Sequence, residues 1–262
     1  MKRSAFSLVE LSIVLVILGL LTGGILAGQS LIRAAELRTI PTQSQQYLTA
    51  VQTFRDKYFA LPGDMTNATA FWGTAASCPG DETTPSTTIA TCNGNGNGAV
   101  DVLTLSISAE NFRLWQHMAN AGLIEGRYTG VRNTSSGGNF DRSCLPGGNV
   151  PASKISSGGY AVEYLGTLNA DTWRWNGTYN NALIFSKMDG INAPGDLPLL
   201  KPEEAWNIDT KMDDGKPASG RVMSYRKFGN AINCTTTNVE STTAYNLTDS
   251  STACPLFFLN GF

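Results

Sequence analysis

Two stretches of the chain carry side-chain oxygens at spacings that suit chemistry with a dication. In CNGNGNGAVD, Asn93, Asn95 and Asn97 alternate like the ligands of a calcium loop, Gly98 stands at the turn and Asp101 at the ninth position. Thr104 occupies the place of the bidentate acid, and three neutral amides hold a dication weakly, so an Asn-Gly turn is the plainer reading. Asp209, Asp213 and Asp214 form a second acidic cluster, which a solvated helix end explains without a metal. Trp173, Trp175 and Tyr179 could stack on sugar rings, but residues at this alternating strand spacing more often pack a sheet face.

Catalytic chemistry finds little to work with. The one histidine, His117, excludes a multi-histidine metal site and reads as a surface or hydrogen-bonded residue. There is no G-x-S-x-G, P-loop or HExxH string, and no G-x-G-x-x-G between a strand and a helix, so enzymatic activity is not expected. A net charge of -2 gives no electrostatic case for nucleic acid. The cysteines Cys78, Cys92, Cys144, Cys234 and Cys254 lie in turn-rich stretches without zinc spacing. In an exported head they favour disulfides, and short separations nominate Cys78 with Cys92 and Cys234 with Cys254, leaving Cys144 over. Two bridges among five cysteines can be drawn in fifteen ways, so this pairing is a preference set by loop length.

The elements that must carry these groups begin with a hydrophobic helix. Lys2 and Arg3 precede the run LSIVLVILGLLTGGILAG, and no charge follows Glu10 until Arg33. Residues 11–32 as a helix cover about 33 Å, enough to span a bilayer core of about 30 Å. The basic residues place the N-terminus in the cytoplasm and the head outside. A cleaved secretory signal has the same outline, but Glu10 argues against it, since a carboxylate costs on the order of 2 to 3 kcal/mol at the centre of such a helix and less near its end. Cleavage between Ala5 and Phe6 would give Glu10 a purpose: the new α-amine, with a pKa near 8, is mostly cationic at neutral pH. Paired with Glu10 of a neighbouring copy, it would set axial register while apolar helices bundle.

The string A-FSLVELSIVLVILGLL, with Phe6, Glu10 and Gly19, resembles the cleavage and methylation segment of type IV prepilins and type II secretion pseudopilins. Ala5 stands where that family usually has glycine. The resemblance implies a membrane peptidase that removes residues 1–5 and N-methylates Phe6, and an inner-membrane assembly platform with its ATPase. It further implies identical or related pilin subunits as partners. Before assembly the helix would lie in inner-membrane lipid with the head in the periplasm. Calcium is not required, but some relatives hold it in the head, which makes Asp209, Asp213 and Asp214 the second candidate beside Asn93, Asn95, Asn97 and Asp101.

Beyond the apolar run, Leu37, Ile40, Tyr47, Leu48, Val51, Phe54 and Tyr58 keep helical spacing, so the helix should span 6–58, with Gly23, Gly24, Gly28 and Pro41 as places to bend. In the head, 59–262, Leu61 to Gly98 reads as turns and ENFRLWQHMANAGLIEG as a helix ending near Gly122. GYAVEYLG, TWRWN, NALIFSK and RVMSYRK read as strands, and PEEAWNIDTKMDDGKP as a helix and turn. The expected fold is α+β, a long helix against an antiparallel sheet in a loop-rich head. The expected role is a filament subunit. The alternatives are a membrane-anchored or filament-tip binding module, and a secreted hydrolase with a conventional signal peptide.

Overall fold

The computed structural model describes residues 8–76, 78, 85–86, 88–101, 109–132, 143–169, 174–191, 195, 197–226, 233–259 and 262. Helix α1, Leu8–Tyr58, is continuous over 51 residues, about 76 Å. Its first half is apolar on every side, with Leu8, Leu15, Leu20, Leu26 and Leu31 all more than 60% exposed, whereas Ile40, Ser44, Tyr47, Ala50, Val51 and Phe54 turn one face into the head. One element therefore serves two environments. The lower half is long and apolar enough to cross a membrane by length and composition. The bends expected at Gly23, Gly24, Gly28 and Pro41 do not break it.

A short helix α2, Ala68–Trp72, follows, then α3, Glu110–Asn120. The stripe Phe112, Trp115 and Met118 packs in the core with Tyr47, whose ring lies 5.2 Å edge-on to Trp115 and 5.0 Å from Tyr160. Strands β1, Gly158–Leu168, and β2, Gly177–Lys187, pair antiparallel with Tyr160 opposite Phe185 and Val162 opposite Leu183. Helix α4, Pro202–Met212, then precedes β3, Val222–Met223, and β4, Leu256–Phe258. All pairings are antiparallel and the sheet order is β1-β2-β4-β3, with Leu183 and Val222 both opposite Phe258. The α+β architecture of a long helix and an antiparallel sheet is thus what the chain adopts.

Several elements differ from the sequence expectation. The segment 61–98 contains α2, whose Ala68 is buried and whose Trp72 packs on Phe54. Arg174–Asn176 are not a strand: Trp175 is turned inward at 2% exposure, and its buried indole N–H is satisfied by the Ser224 carbonyl at 2.9 Å. The strand in RVMSYRK shrinks to two residues, and its inner neighbour is the unforeseen β4. Trp173 lies outside the described residues.

The polar side of α3 also departs from expectation. An amphipathic helix normally gives that side to water. Here Glu110, Arg113, Gln116 and His117 are all under 5% exposed, because the segment 61–101 lies over them and is hydrogen-bonded in order along the helix. Asn95 and Asp101 donate their backbone N–H groups to the two Glu110 carboxylate oxygens at 2.9 and 3.0 Å. Arg113 reaches the Asn93 carbonyl, Gln116 the Ala90 carbonyl, and Asn120 the Ile89 carbonyl. Gly63 donates to His117 Nδ1 at 3.0 Å; its φ of 88° and its closeness to the Glu110 carbonyl admit no side chain. Disulfides Cys78–Cys92 and Cys234–Cys254 close the loops that the sheet and helices leave untied, and Cys144 is free and buried.

Candidate functional site

The assembly segment is built on the first turns of α1. Ala5 and Phe6 lie outside the described residues. Glu10 stands in the first turn of the helix and is exposed, where the positive end of the helix dipole favours a carboxylate and disfavours an ammonium. Above it Leu11, Ile13, Val14, Leu15, Val16 and Ile17 are each more than 50% exposed. At about 25 cal/mol per Å² a face of this kind is strongly driven out of water.

The head places the proposed ligand sets as follows. In the Asn-Gly loop the side-chain oxygens face backbone donors: Asn93 Oδ1 accepts from Thr69 N–H at 2.9 Å, Asn95 Oδ1 from Asn97 N–H at 2.9 Å, and Asn97 Oδ1 from Ala99 N–H at 2.7 Å. Asn95 and Asn97 donate their amides to Asp101 Oδ2 at 3.0 and 2.9 Å. The loop's own N–H groups at Gly96, Asn97 and Gly98 converge on the Asp64 carboxylate. The stretch that resembled a cation loop is therefore folded around two carboxyl groups of its own chain, Asp64 and Glu110. Burial pushes the Glu110 carboxyl up to about 7 although both backbone N–H groups oppose the shift, and the charges of Asp64 and Asp101 add to it.

Carboxylate oxygens of Asp209, Asp213 and Asp214 come within 4.8 Å of one another. Asp209 is fully buried, accepting from Tyr245 O–H at 2.9 Å and Gly215 N–H at 3.2 Å. Asp213 accepts from Arg221 and Val222 N–H, and Asp214 from Lys216 N–H and Ser219 O–H. Burial pushes Asp209 up to about 7, with the charges of Asp214 and Asp213 adding to the rise and the hydrogen bonds from Tyr245 and Gly215 opposing it. Oxygen-only donors of this kind suit a hard dication. Of the aromatic set, Trp175 is buried and Tyr179 is half-buried with its hydroxyl on the Asn176 carbonyl, so the two do not form an open sugar platform.

Comparison with known families settles the N-terminal segment. Residues 1–26 match the prokaryotic N-terminal methylation motif. The chain carries a prepilin-type cleavage and methylation segment. No curated protein and no solved structure matches the chain. This segment continues into an apolar helix and an α+β head with two disulfides, and the motif points to a structural subunit.

Two features of this chain escaped sequence reasoning. Asp64, at 4% exposure, organises the Asn-Gly loop, and its only signal is a lone acid after a Pro-Gly turn. Arg33 and Glu204 join stem to head; the signals were a first cation after the apolar run and an acid three residues into a Lys-Pro-Glu-Glu helix start.

Proposed function

We propose that this chain is a structural subunit of a type IV pilus or a type II secretion pseudopilus. The peptidase cuts after Ala5 and methylates Phe6, and the stem holds the subunit in the inner membrane with its head in the periplasm. A platform and its ATPase then draw it into a filament of like subunits. The observation that carries this reading is the match over residues 1–26 continuing into a helix whose lower half presents exposed apolar side chains. In the filament the Phe6 ammonium of one subunit faces Glu10 of the next, removing two charges from lipid at once.

A calcium ion, where the head uses one, sits at Asp209, Asp213 and Asp214, and raises the melting temperature in a chelator-sensitive way. A second reading, a filament-tip binding module, draws on an open groove of about 760 Å³ at the far end of α1, lined by Gln52, Arg55, Asp56, Phe59 and Thr66. Phe59 is 93% exposed with a φ of 55°, an unusual backbone for a bulky residue. Under this reading Phe59→Ala leaves filament number unchanged and removes adhesion.

The deciding experiment is mass spectrometry of the N-terminus after expression with a pilin export system. A chain beginning at N-methylated Phe6 supports the proposal. A chain beginning near residue 28 makes the apolar run a signal peptide and overturns it.

A further inference from the structure

The stem leaves the apolar run at Ile32 and enters the head core at Ile40, and α1 has its weakest turn at this entry, from Leu37 to Pro41. Pro41 has no N–H, so the Leu37 carbonyl loses its partner four residues on, and the ring crowds that carbonyl, a cost of about 3 kcal/mol in a helix interior. Kinks of more than about 20° concentrate at such positions. The helix nevertheless runs through Pro41 unbroken.

A two-pronged contact reaches across this turn from outside the helix. Arg33, on the stem side, donates from Nε to Glu204 Oε1 and from Nη2 to Glu204 Oε2, both at 2.7 Å across 171 residues of sequence. Glu204 belongs to the first turn of α4, which Pro202, Ala205, Ile208 and Asp209 bury in the head, and its Oε2 also accepts the Lys201 N–H at 3.0 Å. The side chains are 33% and 13% exposed, and Glu36 adds a second carboxylate 3.6 Å from Arg33. Exposed single-contact ion pairs are worth little, but a two-pronged guanidinium–carboxylate pair, partly withdrawn from water, fixes geometry as well as energy. Burial alone pushes the Glu204 carboxyl up, yet its bonds to Arg33 and Lys201 hold it below its ordinary value, and the Arg33 guanidinium is raised by the same Glu204 bond.

We infer that Arg33 and Glu204 are positioning residues that latch the head across a hinge at Pro41, holding it at one angle on the stem. The latch rests on the stem–head geometry; its consequence for assembly rests on the filament reading, because a subunit enters a filament productively only when stem and head present one fixed relation to their neighbours.

The test uses the full chain in detergent micelles, spin-labelled at Ser30→Cys and Thr210→Cys, positions that flank the hinge. A second pair, Gln45→Cys with Thr210→Cys, lies wholly on the head side and reports that the head remains folded. The lever from Pro41 to Ser30 is about 16 Å, so a swing of about 20° spreads the first distance by about 6 Å. Arg33→Ala and Glu204→Gln, the latter keeping an acceptor for Lys201, broaden the first distribution by that amount and leave the second narrow. The exchange Arg33→Glu with Glu204→Arg narrows it again, and in a Pro41→Ala background Arg33→Ala has no effect. An unchanged first distribution in Arg33→Ala, or equal broadening with Pro41→Ala, overturns the latch. Filament incorporation of the same variants reads the other claim: distances that behave as stated with normal incorporation keep the latch and sink its role in assembly.

Discussion

Replacing His117 by glutamine removes the only imidazole in the chain and changes how acid acts on the head. The ring is fully buried and accepts the Gly63 N–H at Nδ1, so the neutral ring carries its proton on Nε2, 3.0 Å from Thr91 Oγ1; that hydroxyl in turn donates to Gln116 Oε1 at 2.7 Å. Burial, with the nearby Arg113 charge adding to it, pushes the imidazole pKa down to about 3. An unfolded chain takes up this proton below about pH 6.5 and the folded chain does not until about pH 3, so acid favours unfolding throughout that window. At about 1.4 kcal/mol per pH unit, the step from pH 6.5 to pH 5 costs the wild type about 2 kcal/mol that His117→Gln does not lose. The raw curve hides this. Glu110 and Asp209, both raised to about 7, hold protons in the folded state and work in the opposite direction over the same range. The assay is therefore the difference between wild type and variant in urea unfolding of the full chain in detergent, followed by tryptophan fluorescence at pH 7, 6 and 5. Parallel stabilities across that range would refute a buried neutral imidazole.

Three further outcomes are expected. Glu10→Ala stays in the membrane but enters filaments on the order of tenfold less well, the effect of losing about 1.4 kcal/mol at each subunit joint, scored by immunoblot of sheared filaments. Asp209→Asn removes a stability loss that the wild type shows as pH rises from about 4 to 7, worth about 2 kcal/mol between pH 5.5 and 7; calcium that binds the cluster flattens the wild-type slope in the same melting series. Cys234→Ser with Cys254→Ser opens a loop of sequence separation 20 and costs about 3 kcal/mol by chain entropy, read as a lower urea midpoint.

The sequence made the stem, α3, α4, β1 and β2 legible because each has a period or a run long enough to stand out. The apolar run with one acid near its start left few alternatives, and GYAVEYLG and NALIFSK are apolar through the middle of their pairing, Tyr160–Val162 against Leu183–Phe185. What stayed hidden was decided by distant partners. β4 is three residues behind a proline and becomes a strand because β2 and β3 offer edges on both sides. Trp175 looked like one rung of an alternating strand and is instead held by a carbonyl 49 residues away. His117 was expected at the surface or in a hydrogen bond; it is hydrogen-bonded and fully buried, because a loop with no pattern of its own lies across it. The Asn-Gly loop showed oxygens at regular intervals, but their partners are backbone groups, and Asp64 lies about 30 residues before the glycines it binds.

The way the segment 61–101 is fastened to α3 has a bearing on how this molecule can diversify. Among its described residues, Gly63, Ile89, Ala90, Asn93, Asn95 and Asp101 meet His117, Asn120, Gln116, Arg113 and Glu110 through main-chain carbonyls and amides, and the Asp64 carboxylate accepts main-chain N–H groups. A fastening read through the backbone is indifferent to most of the side chains it carries. Given the tight glycines and the Cys78–Cys92 bridge, the outward-facing letters of this segment are open to turnover without disturbing the frame. If the chain is the filament subunit proposed above, such turnover changes the face repeated along the filament while its scaffold stays the same.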